Sequence, residues 1–197
     1  HEEIMELTSL QKEWNNCTLE YDLERFNWPA WALSVVQEVA PTVTKLETLH
    51  EVLSPKEIVT VSKHVQNACS RKDFMERFDA FVAEYIPQRI DGKRFMIQRQ
   101  GTLRVVIPNQ AKVGRRLQFH QGNGRGCRTI WTPFTEARGT NTMWMVDLEN
   151  SRRITKDFVT EKWSLERMED ECLKVAFPVT LKPGQSHLFF QEMLHGN

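Results

Sequence analysis

The chain has 197 residues, and its 26 Lys and Arg balance its 26 Asp and Glu, so the formal charge is zero. This length suits one domain with a substantial core, since domains span roughly 100–200 residues, and 6 Trp with 11 Phe exclude a disordered segment. A neutral balance argues against nucleic acid polymers and anionic membranes as partners, because clustered Lys and Arg bind both.

The first half of the chain, about residues 1–92, is predicted to be helical. Ser54–Glu57 indicates a helix start, because Ser can cap, Pro suits the first helical position and Glu can complete a capping box. An aromatic residue recurs every three or four positions from near Ser70 to Pro87, which predicts a second helix. We expect these aromatic side chains to be core: Phe74, Phe78, Phe81 and Tyr85.

The second half, about residues 93–197, changes to short segments rich in β-branched and aromatic residues, separated by turn residues. Seven strands are predicted: Phe95–Gln100, Leu103–Ile107, Leu117–His120, Arg128–Phe134, Thr142–Asp147, Val175–Leu181 and His187–Phe190. Between the later strands, Trp163–Lys174 is predicted to be a helix capped by Ser164, with three residues inward: Leu165, Met168 and Cys172.

This order of elements predicts an α+β fold in which residues 1–197 form one domain. Many short strands with flanking helices favour a double-stranded β-helix, the jelly roll of cupin-like proteins, with the N-terminal helices packed on one sheet.

We expect a cytoplasmic protein with no membrane partner. No apolar run approaches the roughly 18–20 residues that span a bilayer. The residues after His1 lack the basic and apolar regions of a signal peptide. The four cysteines show no CxxC or other close pairing, which favours free thiols in a reducing compartment: Cys17, Cys69, Cys127 and Cys172.

Three histidines lie among the predicted strands: His120, His187 and His195. A jelly roll can bring the end of an early strand and the start of a late one to the same mouth, so His120 and His195 are candidate ligands of one metal ion. Taken singly, each histidine is more often a core or surface residue, and we expect His187 to be structural, with its hydrogen bonds satisfied.

The sequence around these histidines carries a family resemblance. Its motifs follow one another in the order Phe119–Gly122, Arg128–Pro133, Gly139–Trp144, Pro183–Phe189 and His195–Asn197. From about Leu53 onward the chain resembles the non-haem Fe(II)/2-oxoglutarate-dependent oxygenases related to phytanoyl-CoA hydroxylases, in particular those of sporadic carbohydrate and aminoglycoside-type clusters.

The resemblance implies a catalytic domain that holds Fe(II) through His120 and His195 and consumes 2-oxoglutarate and O₂. It also implies a dioxygenase-type biosynthetic reaction at an unactivated C–H bond. The expected substrate is a small polar metabolite of the sugar, nucleotide or amino-acid type.

Gly122 departs from the family pattern. The usual motif is His-x-Asp/Glu with a distant His, but Gly122 stands where the carboxylate ligand is expected. In the halogenase branch of the superfamily, glycine or alanine occupies this position and chloride or bromide binds the iron instead. Gly122 therefore favours a halogenase, with chloride as a further cofactor.

Other interpretations remain open beside the halogenase. Gly122–Gly126 has the composition of a mobile glycine-rich turn, and Asp147 or Glu192 can supply the carboxylate of a hydroxylase. A cupin-like isomerase that uses zinc or manganese, or a cupin-like binding protein without catalysis, also fits the predicted fold.

2-Oxoglutarate needs a basic anchor for its distal carboxylate, which an Arg fork can hold bidentately. In relatives this arginine follows the second histidine, so we expect either that the chain continues past Asn197 or that Arg128 or Arg104 is the anchor, with Arg128 preferred. Thr142 and Trp144 are further candidates for the cofactor pocket. Three residues are candidate substrate contacts: Arg115, Arg116 and Trp131.

Overall fold

The computed structural model describes residues 17–89, 95–98, 101–107, 127–139 and 141–196. In this part of the chain the fold is mixed α+β, with six α-helices and two small three-stranded antiparallel sheets that are not closed. Two compact units are present, one formed by Glu20–Gln110 and the other by His1–Leu19 with Ala111–Asn197. None of the described helices has the length and apolar character needed to cross a membrane.

The unit Glu20–Gln110 is helical. Its helices are α1 (Trp28–Gln37), α2 (Leu49–Val52), α3 (Pro55–Ala68) and α4 (Lys72–Tyr85), followed by a 3-10 turn at Pro87–Arg89. The predicted start of α3 is confirmed, because the Ser54 hydroxyl accepts from the Glu57 backbone N–H while the Glu57 carboxylate accepts from the Ser54 N–H. This reciprocal cap satisfies two backbone N–H groups that have no hydrogen-bond partner within the helix.

The aromatic face of α4 lies in the core of this unit, as predicted. Phe74 and Phe81 are buried, whereas Phe78 and Tyr85 are half-buried. The Phe74 ring packs 4.9 Å from that of Trp31, whose indole Nε1 donates to Asp73 at 2.8 Å. The aromatic spacing in the sequence therefore produces a packed seam between α1 and α4.

Two predicted strands are wrong over their described residues. Residues 95–98 and 101–107 form no strand, and Met96 is 99% exposed. The backbone N–H of Leu103 donates to the Gln66 side chain at 3.0 Å instead of to a neighbouring strand. Apolar, β-branched sequence favours a strand only where a partner strand and a covering face exist. The predicted strand Leu117–His120 lies outside the described residues.

The second unit contains both sheets. Sheet A has the order β1 (Cys17–Glu20), β5 (Gln185–Phe190), β2 (Arg128–Trp131), and sheet B has the order β4 (Phe177–Pro178), β3 (Trp144–Met145), β6 (His195–Gly196). Along the chain, β2 lies in sheet A, β3 and β4 lie in sheet B, β5 lies in sheet A and β6 lies in sheet B. The predicted strands at these positions exist, but three of them are shorter than expected.

Two helices, α5 (Leu148–Thr160) and α6 (Leu165–Leu173), follow β3. The predicted α6 is confirmed with Ser164 as its cap, and Met168 and Cys172 are buried, but Leu165 is 65% exposed and the expectation for it is wrong. Helix α5 is absent from the sequence expectations. It packs with α6 around one apolar cluster: Val146, Ile154, Met168, Cys172 and Leu194.

The three cysteines with described side chains are free thiols, as expected: Cys69, Cys127 and Cys172. Cys69 and Cys172 are buried, whereas Cys127 is exposed. Burial raises the pKa of the Cys172 thiol to about 11, so this thiol is protonated at neutral pH and acts as a small apolar residue of the core.

Candidate metal centre

His195, the predicted second metal ligand, lies on β6 with its ring held by a backbone hydrogen bond. Its Nδ1 donates to the carbonyl oxygen of Met193 at 2.8 Å. A carbonyl only accepts, so Nδ1 carries the proton and Nε2 is the basic nitrogen of the neutral ring. Histidines that bind metals commonly donate their other N–H to a carbonyl in this way. The tautomer of His195 therefore suits a metal ligand.

The two sheets meet at the His195 ring. The Phe189 ring of sheet A lies edge-on to His195, with centroids 5.0 Å apart and planes at 64°. Opposed residues in an antiparallel pair point to the same side of the sheet, so Trp131, opposite His187, shares a face with Phe189. We call the face of sheet A that carries Trp131, His187 and Phe189 the inner face. His195 of sheet B contacts this face through Phe189.

Trp131, a predicted substrate contact, thus lies on the inner face, whereas Arg128 lies on the opposite face of sheet A. Arg128 pairs with Phe190 across the strands, and its guanidinium carbon is 3.4 Å from the Phe190 ring centroid. The guanidinium also donates to the Cys127 carbonyl at 3.1 Å. Burial lowers the pKa of Arg128. The structure therefore does not bring Arg128 and His195 to one face.

Thr142 and Trp144, the other predicted cofactor contacts in this unit, make packing and backbone interactions. The buried Thr142 hydroxyl donates to the Val179 carbonyl. The Trp144 side chain packs on the cluster beneath α5 and α6, and its indole donates to the Gly139 carbonyl at 3.3 Å. In the pleat of sheet B, Trp144 and His195 point to opposite sides. The structure therefore shows Thr142 and Trp144 in packing and backbone contacts of this unit.

The two carboxylates considered as replacement ligands are engaged elsewhere. Asp147 caps α5 by accepting from the Asn150 N–H at 2.9 Å, and Glu192 accepts from the Arg152 guanidinium at 2.9 Å. Across the described parts of the chain, no group of three or more His, Cys, Asp or Glu is arranged to hold a metal ion. A complete ligand set for His195 therefore requires residues outside the described segments.

Four predicted site residues lie outside the described residues: His120, Gly122, Arg115 and Arg116. Arg104 belongs to the helical unit, where it is exposed. The predicted pairing of His120 with His195 stays a prediction.

His187 differs from the expectation of a satisfied structural histidine. It is 4% exposed, and neither ring nitrogen has a hydrogen-bond partner in the described structure. Its ring stacks on Phe189 with centroids 6.0 Å apart. Burial lowers the pKa of His187 to about 4, so its imidazole is neutral at physiological pH. His187 lies in a run of buried residues from Ser186 to Phe190, and the apolar sequence Leu188–Phe190 beside it is the signal for a buried strand.

We predict that His187 makes the fold sensitive to mild acid. Because its pKa is about 4 in the folded state and near 6.5 when exposed, the unfolded chain takes up the proton first. This contribution to stability is complete above pH 6.5 and falls as the pH drops toward 4, by about 2 kcal/mol at pH 5. Denaturant unfolding of wild type and His187→Leu between pH 7 and pH 5 measures the difference.

The exposed His50 provides the control for this experiment. We expect His50→Leu to follow the wild-type pH profile and His187→Leu to be flatter. Parallel profiles for wild type and His187→Leu would show that His187 titrates normally.

Comparisons with protein-family models, curated proteins and solved structures returned no match to this chain.

Proposed function

We propose that this protein is an Fe(II)/2-oxoglutarate-dependent oxygenase that functionalises a C–H bond of a small polar metabolite. The observation that carries the proposal is the state of His195, at the position where the motif order predicts the second iron ligand. Its Nδ1–H bond to Met193 leaves Nε2 as the basic nitrogen, the state in which a histidine binds iron.

The path of the chain through the two sheets supports a jelly roll as the finer fold. In a jelly roll, strands cross repeatedly between two facing sheets, and β2 to β6 follow such a path. The contact between Phe189 of sheet A and His195 of sheet B is the contact expected across the interior.

In this proposal His120 and His195 hold the iron, which when bound supplies the activation of O₂ with 2-oxoglutarate as co-reductant. The chain itself orients His195 through the Met193 carbonyl and covers one side of its ring with Phe189. The Phe189 ring would limit the access of water to the iron on that side of His195. Arg128, the preferred anchor of 2-oxoglutarate, lies on the face of sheet A opposite Phe189, so its role as the anchor stays a prediction.

The engagement of Asp147 and Glu192 favours the halogenase version of the proposal. Asp147 caps a helix and Glu192 is ion-paired with Arg152, so neither carboxylate is available without breaking a native contact. In the proposed site a chloride ion would take the place of the carboxylate that Gly122 cannot supply, and neither Asp147 nor Glu192 would be needed. Hydroxylation is the second outcome, and it requires a carboxylate from outside the described residues.

The test is the metal content and turnover of the wild-type protein. We expect protein purified without oxygen to bind Fe(II) stoichiometrically and to release succinate from 2-oxoglutarate only when O₂ is present. Absence of both metal and succinate would favour a cupin-like binding protein. Metal binding with an activity that needs neither O₂ nor 2-oxoglutarate would favour the isomerase.

A further inference from the structure

The fully buried Ser151, in the first turn of α5, joins this helix to the residue after β3 and to the residue before His195. Its hydroxyl donates to the Val146 carbonyl at 3.1 Å and accepts from the Leu194 backbone N–H at 2.9 Å. The Val146 N–H in turn donates to the Leu194 carbonyl at 2.9 Å. One side chain thus satisfies a donor and an acceptor on two segments far apart in the chain.

A second contact from α5 holds the same segment. Arg152, the next residue, donates from Nε to the Glu192 carboxylate at 2.9 Å. Glu192 and Leu194 flank Met193, whose carbonyl accepts the Nδ1–H of His195. The residues that orient the His195 ring are therefore held on both sides by α5.

We propose that Ser151 is a positioning residue for His195. It holds the backbone at Leu194, so that the Met193 carbonyl accepts the Nδ1–H of His195. This hydrogen bond fixes the orientation of the His195 ring and therefore of its Nε2. This inference rests on the proposed function only in treating His195 as a metal ligand.

Packing alone does not require a hydroxyl at this position. The neighbouring cluster around Val146, Ile154 and Leu194 is apolar, and alanine fills nearly the same volume as serine. Without the hydroxyl, the buried Leu194 N–H loses its hydrogen-bond partner. Because an unpaired buried N–H is unfavourable, we expect the backbone at Leu194 to shift. Such a shift moves the Met193 carbonyl away from His195.

The test compares Ser151→Ala with wild type, using Co(II) alone as the probe under anaerobic conditions. We expect the Kd for Co(II) to rise about 10-fold or more, the usual consequence of losing a group that orients a metal-binding histidine. In NMR spectra of the metal-free protein, the Nδ1–H proton of His195 should exchange faster and move upfield. A purely stabilising role for Ser151 would leave this proton unchanged.

Ser164→Ala is the matched control. Ser164 caps α6 by accepting from the Arg167 N–H at 3.2 Å, so its loss weakens a helix of the same cluster but removes no hydrogen bond of residues 192–195. We expect the control to leave the Co(II) affinity and the His195 proton at wild-type values. Equal effects of the two variants would overturn the proposal.

Arg152→Gln is the second variant, because its exposed ion pair contributes little to stability and the protein should fold. If Ser151→Ala does not fold, faster exchange of the His195 Nδ1–H in Arg152→Gln supports the positioning role of α5, and an unchanged signal overturns it. The NMR readout needs no metal. Wild-type protein that binds no Co(II) would therefore contradict the proposed function and leave the positioning role to be decided by the proton signal.

Discussion

His195→Ala is expected to abolish metal binding and 2-oxoglutarate turnover. In the proposed site the substitution would remove one of two protein ligands where Gly122 would supply none, and the imidazole of His120 alone would not retain Fe(II). Iron content after dialysis and succinate release under O₂ measure the two losses. We expect iron to fall to the background of the buffer and turnover to fall by at least about 1,000-fold, a loss comparable to removing a component essential to catalysis.

The fold of this variant should persist, because the His195 ring is half-buried at a two-residue strand rather than inside the apolar cluster. Circular dichroism of His195→Ala provides that check. His50→Ala, at an exposed position of the helical unit, is the control for loss of a histidine elsewhere. Full iron occupancy in His195→Ala would exclude His195 as a ligand and with it the proposed site.

If the proposed halogenase site is present, Gly122→Asp is expected to convert it into a hydroxylase site. An aspartate at this position restores the His-x-Asp motif, and its carboxylate takes the coordination position proposed for chloride. Wild-type succinate release should depend on chloride, and the variant should release succinate without it. Mass spectrometry of the products should show a halogenated product for the wild type only, with hydroxylation in the variant.

Gly124→Asp, two residues further along the same glycine-rich segment, is the control for adding a carboxylate to this part of the chain. We expect it to keep the chloride dependence of the wild type. An unchanged halogenated product from Gly122→Asp would refute the halide position. Wild-type turnover that is indifferent to chloride would instead support the hydroxylase.

The short strands show where the predictions from sequence patterns differ from the structure. Residues 95–98 and 103–107 have the composition of strands, yet they find no partner strand, whereas the similar segment Arg128–Trp131 pairs with β5. Composition reports a preference for extended backbone, but a ladder needs a second strand within hydrogen-bond distance. Helix α5 shows the reverse case, because Asp147 was interpreted as a strand end and a candidate ligand and is a helix cap.

Features that depend on neighbours within about four residues can be predicted from the order of the residues alone. The capping box at Ser54, the aromatic seam of α4 and the Ser164 cap follow from spacing alone, because one turn of helix brings such residues together. The zero charge and the order of the histidine motifs are likewise properties of the chain.

The side of a sheet that each side chain faces, and the contacts that hold His195, become visible only once the strands are paired. Trp131 and His187 lie on the inner face of sheet A and Arg128 lies on the opposite face. A four-residue strand does not reveal which of its two faces is which until its pairing register is known. The tertiary structure also joins Ser151 to Leu194, 43 residues away. Contacts over such distances depend on how the strands cross between sheets, which no local pattern of residues records.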